Sequence, residues 1–259
     1  MKYITFEITD FIGVITINRP PVNALNAALL KEINAALFKV KENIKERKLR
    51  VLLITGAGEN FCVGADLKER LGMSPAEVDS TVHLIRSTFG EISKLPVPVI
   101  ALVRGSAIGG GLELALAADI RIFSETAKVG LREVKLGVIP GGGGTFRIAV
   151  LIGYSNALFL ITTGRILNAE ESFRMGLANK VVPDDRLLSE GKSIAKEIAE
   201  NAPLAVQNAK VALQHEIMYQ SPGYYGIEAL YYRKIIPTRD RIEGLRSFHE
   251  KREPVYSGE

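Results

Sequence analysis

The first part of the chain shows two different periods of apolar residues. Residues 3–9 and 13–18 alternate apolar and polar side chains around a short turn, which predicts a β-hairpin. From Asn26 to about residue 48, apolar residues recur every three or four positions. Because Asn is a favoured N-cap, this segment predicts a long helix with one buried face. The apolar run at 50–55 predicts a buried strand.

Strands and helices continue to alternate in the middle of the chain. Ser74 followed by Pro75 predicts a second helix that runs to about residue 94, where prolines end it. Apolar runs that start at residue 100 and at residue 120 predict two further strands. This alternation predicts an α/β architecture.

The pattern beyond residue 155 is mostly helical, with one predicted strand at 180–183. Helices are predicted to start at Asp184-Asp185, at Pro203 and at Thr238, and Ser221-Pro222-Gly223 separates a further one. We therefore predict an α/β core at residues 1–195 that carries the functional site. A helical region at 196–259 is predicted to serve assembly or to act as a lid.

One stretch combines glycines with an isolated carboxylate. After the strand from residue 100, Gly105 and the run 109–111 predict a turn, and a Leu- and Ala-rich helix follows with Glu113 in its first turn. A helix start presents N–H groups that stabilise negative charge. No side chain three or four positions away can pair with Glu113, so a buried Glu113 needs a proton or a distant partner. The alternative is a solvent-facing carboxylate at the helix start.

A second carboxylate, Glu133, lies on a short segment between Gly130 and Gly137. Two basic residues lie close to it in the sequence, so Glu133 taken alone is interpreted as a solvated surface charge. The run Gly141–Gly144 follows, and it predicts a tight turn or the entrance to a helix.

Composition narrows the choice of protein class. At 259 residues, 47% of them hydrophobic, the chain can bury a large core. A net charge of +4 and a pI near 9.1 suit an anionic small ligand, and no dense Lys/Arg block indicates nucleic acid. The single cysteine, Cys62, fits a reducing compartment. With no signal-peptide pattern and no membrane-length apolar run, we expect a cytoplasmic protein.

Individual residues exclude several common motifs. Gly56 and Gly58 follow a strand, but Phe61 stands where a dinucleotide-binding fingerprint needs its third glycine. The three histidines lack metal-ligand spacing, so no metal site is expected. Cys62 is interpreted as a packing residue.

Several segments together resemble the enoyl-CoA hydratase/isomerase (crotonase) superfamily over essentially the whole chain. These segments are residues 18–20, 24–26, 64–68, 105–114, 133–145 and 241–252. Residues 65–70, the four-glycine run and residues 236–244 are most similar to hydratases of the methylglutaconyl-CoA type. The resemblance implies a spiral of ββα units with a C-terminal helical trimerisation region, in a homotrimer or homohexamer.

The resemblance also implies a substrate and a set of site residues. It implies an acyl-CoA thioester, with coenzyme A as part of the substrate and no separate cofactor. The thioester oxygen would lie between the N–H groups of Ala65 and Gly110, and the two catalytic carboxylates fall on Glu113 and Glu133. Further substrate contacts are expected at Ala24, Leu25, Gly64, Asp66, Leu67, Lys68, Gly109 and Gly141.

Carboxylates at both positions favour hydration of a 2-enoyl-CoA, a carbon–oxygen lyase reaction. Two N–H donors stabilise the enolate-like oxygen, and two carboxylates can hold the attacking water. Related isomerases commonly keep one of the carboxylates, so double-bond isomerisation is the alternative. Two residues, Arg132 and Phe146, depart from the family pattern and are expected at the acyl pocket or its rim.

RNA binding is a third hypothesis, because some relatives of the methylglutaconyl-CoA type bind RNA through lysines on the first long helix. At those positions this chain has Ala27 and Ala35 and keeps only Lys31. Nucleic acid is therefore not expected as a partner.

Overall fold

The computed structural model describes residues 1–201, 203–218, 233, 236–252 and 254. Its strands are β1 (Ile4–Thr9), β2 (Ile12–Ile17), β3 (Val51–Gly56), β4 (Val99–Val103), β5 (Ser106–Ile108), β6 (Ile120–Ser124), β7 (Lys128–Gly130), β8 (Leu167–Asn168) and β9 (Lys180–Val182). Its helices are α1 (Ala27–Lys45), α2 (Leu67–Leu71), α3 (Pro75–Ser93), α4 (Gly110–Leu116), α5 (Gly144–Ile152), α6 (Tyr154–Thr163), α7 (Ala169–Arg174), α8 (Leu187–Ala199), α9 (Pro203–Met218) and α10 (Arg239–Glu250). None of these described helices has both the length and the hydropathy that crossing a membrane requires.

Six strands form the main sheet, in the order β1-β2-β3-β4-β6-β9. β1 and β2 are antiparallel, which confirms the predicted hairpin, and the later neighbours in this sheet are parallel. Parallel strands that are covered on both faces are apolar almost throughout, and every residue of β4 is buried. The predicted α/β architecture is confirmed.

A second, smaller sheet has the order β5-β7-β8 and was not predicted. Its strands are two or three residues long, which is too short to show an alternating pattern. β5 lies inside the glycine-containing stretch that was interpreted as a turn. Its parallel pairing with β7 fixes the chain immediately before α4.

Two of the predicted helices, α1 and α3, start at their predicted N-caps. The Asn26 side chain accepts a hydrogen bond from the Leu29 N–H at 2.9 Å, and the buried face of α1 packs on the main sheet. Ser74 and Glu77 form a capping box at the start of α3, in which each side chain binds the other residue's N–H. α1 ends at Lys45, three residues before the predicted end.

The helix that carries Glu113, α4, is short and tightly packed. Gly109, with a φ of 54°, forms its N-cap, because this conformation suits glycine. A Cβ on Gly111 would lie 1.8 Å from the Cys62 carbonyl oxygen, so α4 packs directly against the Cys62 main chain. Cys62 is fully buried, and its burial raises the pKa of the thiol to about 12. Its position agrees with the packing interpretation.

α8 covers one face of the main sheet, where its buried residues pack with those of β3, β4 and β6. A short 3-10 turn, Asp184–Arg186, precedes it, so the α-helix starts slightly later than predicted. The predicted division at residue 195 falls inside α8. The division into a core and a helical region therefore stays a prediction.

α9 is tied to the core by a mostly buried lysine. Lys210 Nζ donates to the Val97 carbonyl oxygen at 2.9 Å and forms an ion pair with Asp119 at 2.6 Å. The predicted break at 221–223 and the helix after it lie outside the described residues.

The last helix, α10, starts at the predicted cap, Thr238, whose side chain accepts the Arg241 N–H. α10 packs on the short 3-10 helix Glu133–Leu136 and on α2. The contact is close, because a Cβ on Gly244 would lie 2.4 Å from the Leu136 carbonyl oxygen. Residues near the end of the chain therefore lie beside the segment that carries Glu133.

Replacing the cap of α3 tests its contribution to stability. We expect Ser74→Ala to lower the free energy of unfolding by about 1 kcal/mol, because Ala cannot accept the Glu77 N–H. Urea unfolding at one fixed protein concentration measures the change. The control is Ser87→Ala, which removes an exposed hydroxyl inside the same helix and should leave the midpoint unchanged or slightly raised. An unchanged midpoint for Ser74→Ala would contradict the expectation.

Candidate active site

A cavity of about 90 Å³ opens between α2, α3, α4 and α10. Most of its wall is apolar, and its polar side chains are two carboxylates and two arginines. The lining residues are Ala65, Leu67, Arg70, Val78, Val82, Ile85, Gly110, Glu113, Glu133, Leu136, Val138, Ile139, Gly141, Gly142, Arg241 and Leu245. The two carboxylates predicted to be catalytic, Glu113 and Glu133, thus share one cavity.

Glu113 is 3% exposed, so the solvent-facing alternative is wrong. The N–H groups of Gly142 and Gly144 both donate to its Oε1 atom, each at 2.8 Å. These donors are the distant partner that a buried Glu113 needs, because charge-assisted hydrogen bonds offset much of the cost of burying a carboxylate. Sequence reasoning missed the donors, although a run of glycines leaves its N–H groups accessible.

The glycine run can approach Glu113 because it has no side chains. A Cβ on Gly142 would lie 2.9 Å from Glu113 Oε2, and a Cβ on Gly144 would lie 2.9 Å from Oε1. Gly143, between them, has a φ of 104°, which favours glycine. The run is both the turn and the helix entrance that were predicted, since α5 starts at Gly144.

Two buried arginines hold the carbonyl groups of the same run. Arg86 Nε donates to the Gly141 oxygen at 3.1 Å, and Arg147 Nη1 donates to the Gly142 oxygen at 2.8 Å. Both side chains are at most 8% exposed. With its carbonyls fixed from one side, the run directs its N–H groups towards Glu113.

Glu133 starts the 3-10 helix Glu133–Leu136 and is half-buried at the cavity wall, so its interpretation as a solvated surface charge is wrong. A Cβ on Gly109 would lie 3.1 Å from Glu133 Oε1, which brings this carboxylate close to the start of α4. Its burial comes from tertiary neighbours, among them α10, that its local sequence does not show.

Ala65 and Gly110 lie close to each other on two neighbouring segments of the main chain. A Cβ on Gly110 would lie 3.8 Å from the Ala65 nitrogen, and both residues line the cavity. A bridge between Leu25 and Ala65 fixes the position of Ala65. In the described part of the chain, neither N–H donates a main-chain hydrogen bond. The two N–H groups predicted to bind the thioester oxygen therefore lie close together.

The other predicted contact residues divide into two groups. Leu67 and Gly141 line the cavity. The rest support its wall or lie outside it: Ala24, Leu25, Gly64, Asp66, Lys68 and Gly109. Gly64, for example, is in close contact with the Ile108 carbonyl, and Lys68 is exposed. The two departures from the family pattern, Arg132 and Phe146, are not among the residues that line the cavity, and their place at its rim stays a prediction.

Asp66 has a structural position at the start of α2. Its side chain accepts the N–H groups of Lys68 and Glu69 and pairs with Arg19 at 2.7 Å. Partial burial raises the pKa of the Asp66 carboxyl, but the Arg19 hydrogen bond and the helix N–H groups outweigh it and leave that pKa below its usual value. Asp66 thus holds α2 next to Ala65.

Several wall residues carried no sequence signal of function. Val78, Val82 and Ile85 were predicted only as part of the helix that follows Ser74, and Arg70 and Arg241 resemble ordinary basic residues of helices. In the part of the chain that the structure describes, no group of three or more His, Cys, Asp or Glu residues is arranged to hold a metal ion. The arrangement can hold a polarised oxygen at two N–H groups and a water molecule beside two carboxylates.

Comparisons with known proteins agree with this geometry. The family model of enoyl-CoA hydratase/isomerase matches residues 7–259. The putative enoyl-CoA hydratase/isomerase YngF of Bacillus subtilis (strain 168) is 42% identical over 251 residues, covering 96% of this chain and 95% of that protein. The mitochondrial methylglutaconyl-CoA hydratase of Homo sapiens is 41% identical over 254 residues, covering 96% of this chain and 74% of that protein. The crystal structure of an enoyl-CoA hydratase from Bacillus anthracis has a TM-score of 0.80 and 44% sequence identity, and the match covers 99% of this chain and 100% of that chain.

These similarities confirm the crotonase-like fold and the likeness to methylglutaconyl-CoA hydratases. They also confirm the predicted class of enzyme, because the relatives that are named as hydratases are carbon–oxygen lyases. Since the family model spans nearly the whole sequence and the fold agrees with it, the chain belongs to the enoyl-CoA hydratase/isomerase (crotonase) family.

Proposed function

We propose that this protein is an enoyl-CoA hydratase, which adds water reversibly across the 2,3 double bond of an enoyl-CoA thioester. The observation that supports the proposal most is the position of Glu113, Glu133 and the Ala65 and Gly110 N–H groups on the wall of one largely apolar cavity. Such a wall suits an acyl chain. Coenzyme A enters as part of the substrate, and the mechanism needs no further cofactor.

The two N–H groups act on the thioester oxygen. When water attacks the β carbon, electrons move towards the thioester carbonyl, and its oxygen becomes enolate-like. N–H groups that already point at this oxygen stabilise the developing charge without rearranging, and one such donor is typically worth about 3–4 kcal/mol. Gly110 also lies at the start of α4, where the helix favours negative charge.

The two carboxylates act on the water. Glu113 and Glu133 hold it, and the proximity of two like charges keeps Glu133 protonated. The ionised Glu113 accepts the proton of the water as the oxygen bonds to the β carbon, and Glu133 delivers its own proton to the α carbon. The enolate then returns to a thioester carbonyl, so the net change adds H to the α carbon and OH to the β carbon. The glycine run orients the Glu113 carboxylate, which limits the directions in which the water can be held.

Removing each carboxylate tests the proposal. We expect Glu113→Gln and Glu133→Gln each to lower kcat for crotonyl-CoA or a branched enoyl-CoA by about 10²- to 10⁴-fold, the usual contribution of a general acid or base. Loss of absorbance of the conjugated thioester measures the rate. Glu125→Gln, at an exposed position, is the matched control and should keep the wild-type rate. Turnover retained in both Glu113→Gln and Glu133→Gln would remove the two-carboxylate mechanism.

Isotope incorporation separates hydration from isomerisation. A reaction in H₂¹⁸O should introduce one labelled oxygen at the β carbon, because the hydroxyl comes from water, and mass spectrometry of the product detects it. A shifted double bond without label would identify the protein as an isomerase instead.

The glycine run offers a test that keeps both carboxylates. We expect Gly144→Ala to lower kcat by about 10²-fold with a smaller change in KM, because its Cβ would displace the Glu113 carboxylate and small displacements in a site are costly. The control, Gly72→Ala, places a methyl group where no neighbouring atom lies within 4 Å, so it should retain the wild-type kcat. Equal kcat values for Gly144→Ala and the wild type would show that the run does not position Glu113.

A further inference from the structure

The two halves of α3 have different surroundings. Its second half belongs to the main apolar core, which it enters through Ile85 and Phe89. Among residues 74–84, by contrast, only Val78 and Val82 are buried, and they belong to a separate small cluster beside the cavity. The first half of α3 is therefore held less firmly than the second, because fewer buried apolar contacts resist its displacement.

Arg86 lies where these two halves meet. It is buried, and its Nε donates to the Gly141 carbonyl at 3.1 Å. The next residue of the glycine run, Gly142, donates its N–H to Glu113 at 2.8 Å. A Cβ on Gly142 would lie 2.9 Å from Ile85 Cγ2 and 2.9 Å from Glu113 Oε2, so the run is packed between α3 and the carboxylate. A shift of α3 at this point would therefore move the donors of Glu113.

The cavity side of α3 is also the surface that an acyl chain would contact. Val78, Val82 and Ile85 all line the cavity, and their spacing of four and three residues places them on one face of the helix. Burial of apolar surface is favourable, so an acyl chain in the cavity adds contacts that hold this face in one position. The same helix thus contacts the acyl chain at one end and the donors of Glu113 at the other.

We propose that Arg86 is a positioning residue, which couples contact between the acyl chain and α3 to the orientation of Glu113. The acyl chain fixes the first half of α3, Arg86 fixes the glycine run, and the run directs the carboxylate at the water. Part of the binding energy of the acyl chain then raises kcat instead of lowering KM. This proposal rests on the proposed function for the reaction, whereas the coupling itself can also be measured without turnover.

Kinetics of Arg86 variants test whether this residue acts through Glu113. We expect Arg86→Met to lower kcat for crotonyl-CoA by about 10- to 100-fold with a smaller change in KM, because small displacements in a site are costly. Arg86→Lys should recover part of the rate, since its ammonium group can still donate to the Gly141 oxygen. The control, Arg174→Met, lies at an exposed position on α7 and should keep the wild-type kcat.

A second background separates positioning from a merely structural role. In Glu113→Gln, the carboxylate through which Arg86 acts is already lost, so Arg86→Met should lower the remaining kcat by less than about 3-fold. A merely structural role would lower kcat by the same factor in both backgrounds, and that result would overturn the proposal.

The acyl wall supplies a variant that leaves Arg86 in place. Val82→Ala should lower kcat by about 10-fold, because the shorter side chain weakens the contact that fixes α3. A role in binding alone would raise KM and leave kcat unchanged, which would overturn the coupling whether or not an Arg86 variant folds. Val211→Ala, at an exposed position on α9, is the matched control and should keep both constants.

Hydrogen exchange measures the coupling without turnover. Butyryl-CoA carries an acyl chain that has no double bond to hydrate, and coenzyme A carries no acyl chain. With saturating ligand, amide exchange of the run Gly141–Gly144, followed by mass spectrometry, should be about 10-fold slower with butyryl-CoA than with coenzyme A. Arg86→Met should remove this difference. A difference that persists in Arg86→Met would come from direct cover by the ligand and would overturn the coupling.

The two readouts together separate this proposal from the proposed function. Hydration of crotonyl-CoA by a wild type that shows no exchange difference would overturn the coupling and leave the hydratase. An exchange difference that depends on Arg86, without hydration, would overturn the hydratase and leave the coupling.

Discussion

The site depends on one interaction, the pair of N–H groups from Gly142 and Gly144 that bind Glu113 Oε1. Burying a carboxylate to 3% exposure on a helix of Leu and Ala is unfavourable unless hydrogen-bond donors bind it. The donors come from a segment about thirty residues later, so the pairing of these two segments is also a constraint on the fold. It brings the start of α4 next to the start of α5.

This interaction imposes further requirements on the surrounding sequence. The donor segment must be glycine, because a Cβ at either donor would come within 3 Å of the Glu113 carboxylate. A glycine segment is flexible, and the cost of ordering it is high. Arg86 and Arg147, which bind its carbonyl oxygens from the buried side, reduce that freedom. Rigidity at the site thus comes from main-chain hydrogen bonds supported by buried arginines.

The sequence predicted those parts of the structure that local patterns decide. The hairpin and the starts of α1 and α3 were predicted because alternation, helical periodicity and cap residues lie within a few positions of each other. The second sheet was not predicted, since strands of two or three residues carry no period. Glu133 was misinterpreted when taken alone, because α10 and the cavity wall decide its burial, and both are far away in the sequence.

The site shows the same limit. Glu113 could be identified locally, as a carboxylate with no possible neighbour, whereas the pairing with Glu133 and the role of Ala65 came from the resemblance to a family. The arginines at the cavity were missed, because a basic residue on a helix has the same local pattern whether it faces water or a cavity. Lys68 shows the converse, since it belongs to a recognised motif and yet is exposed.

The contact between α10 and the segment of Glu133 also affects the order in which the protein matures. Arg241 and Leu245, which complete the cavity wall, leave the ribosome after every strand of the main sheet. A nascent chain can therefore form its sheet while the apolar wall of the cavity is still open to solvent and accessible to chaperones. A chain that terminates before α10 would keep every strand and lack one wall of its binding chamber.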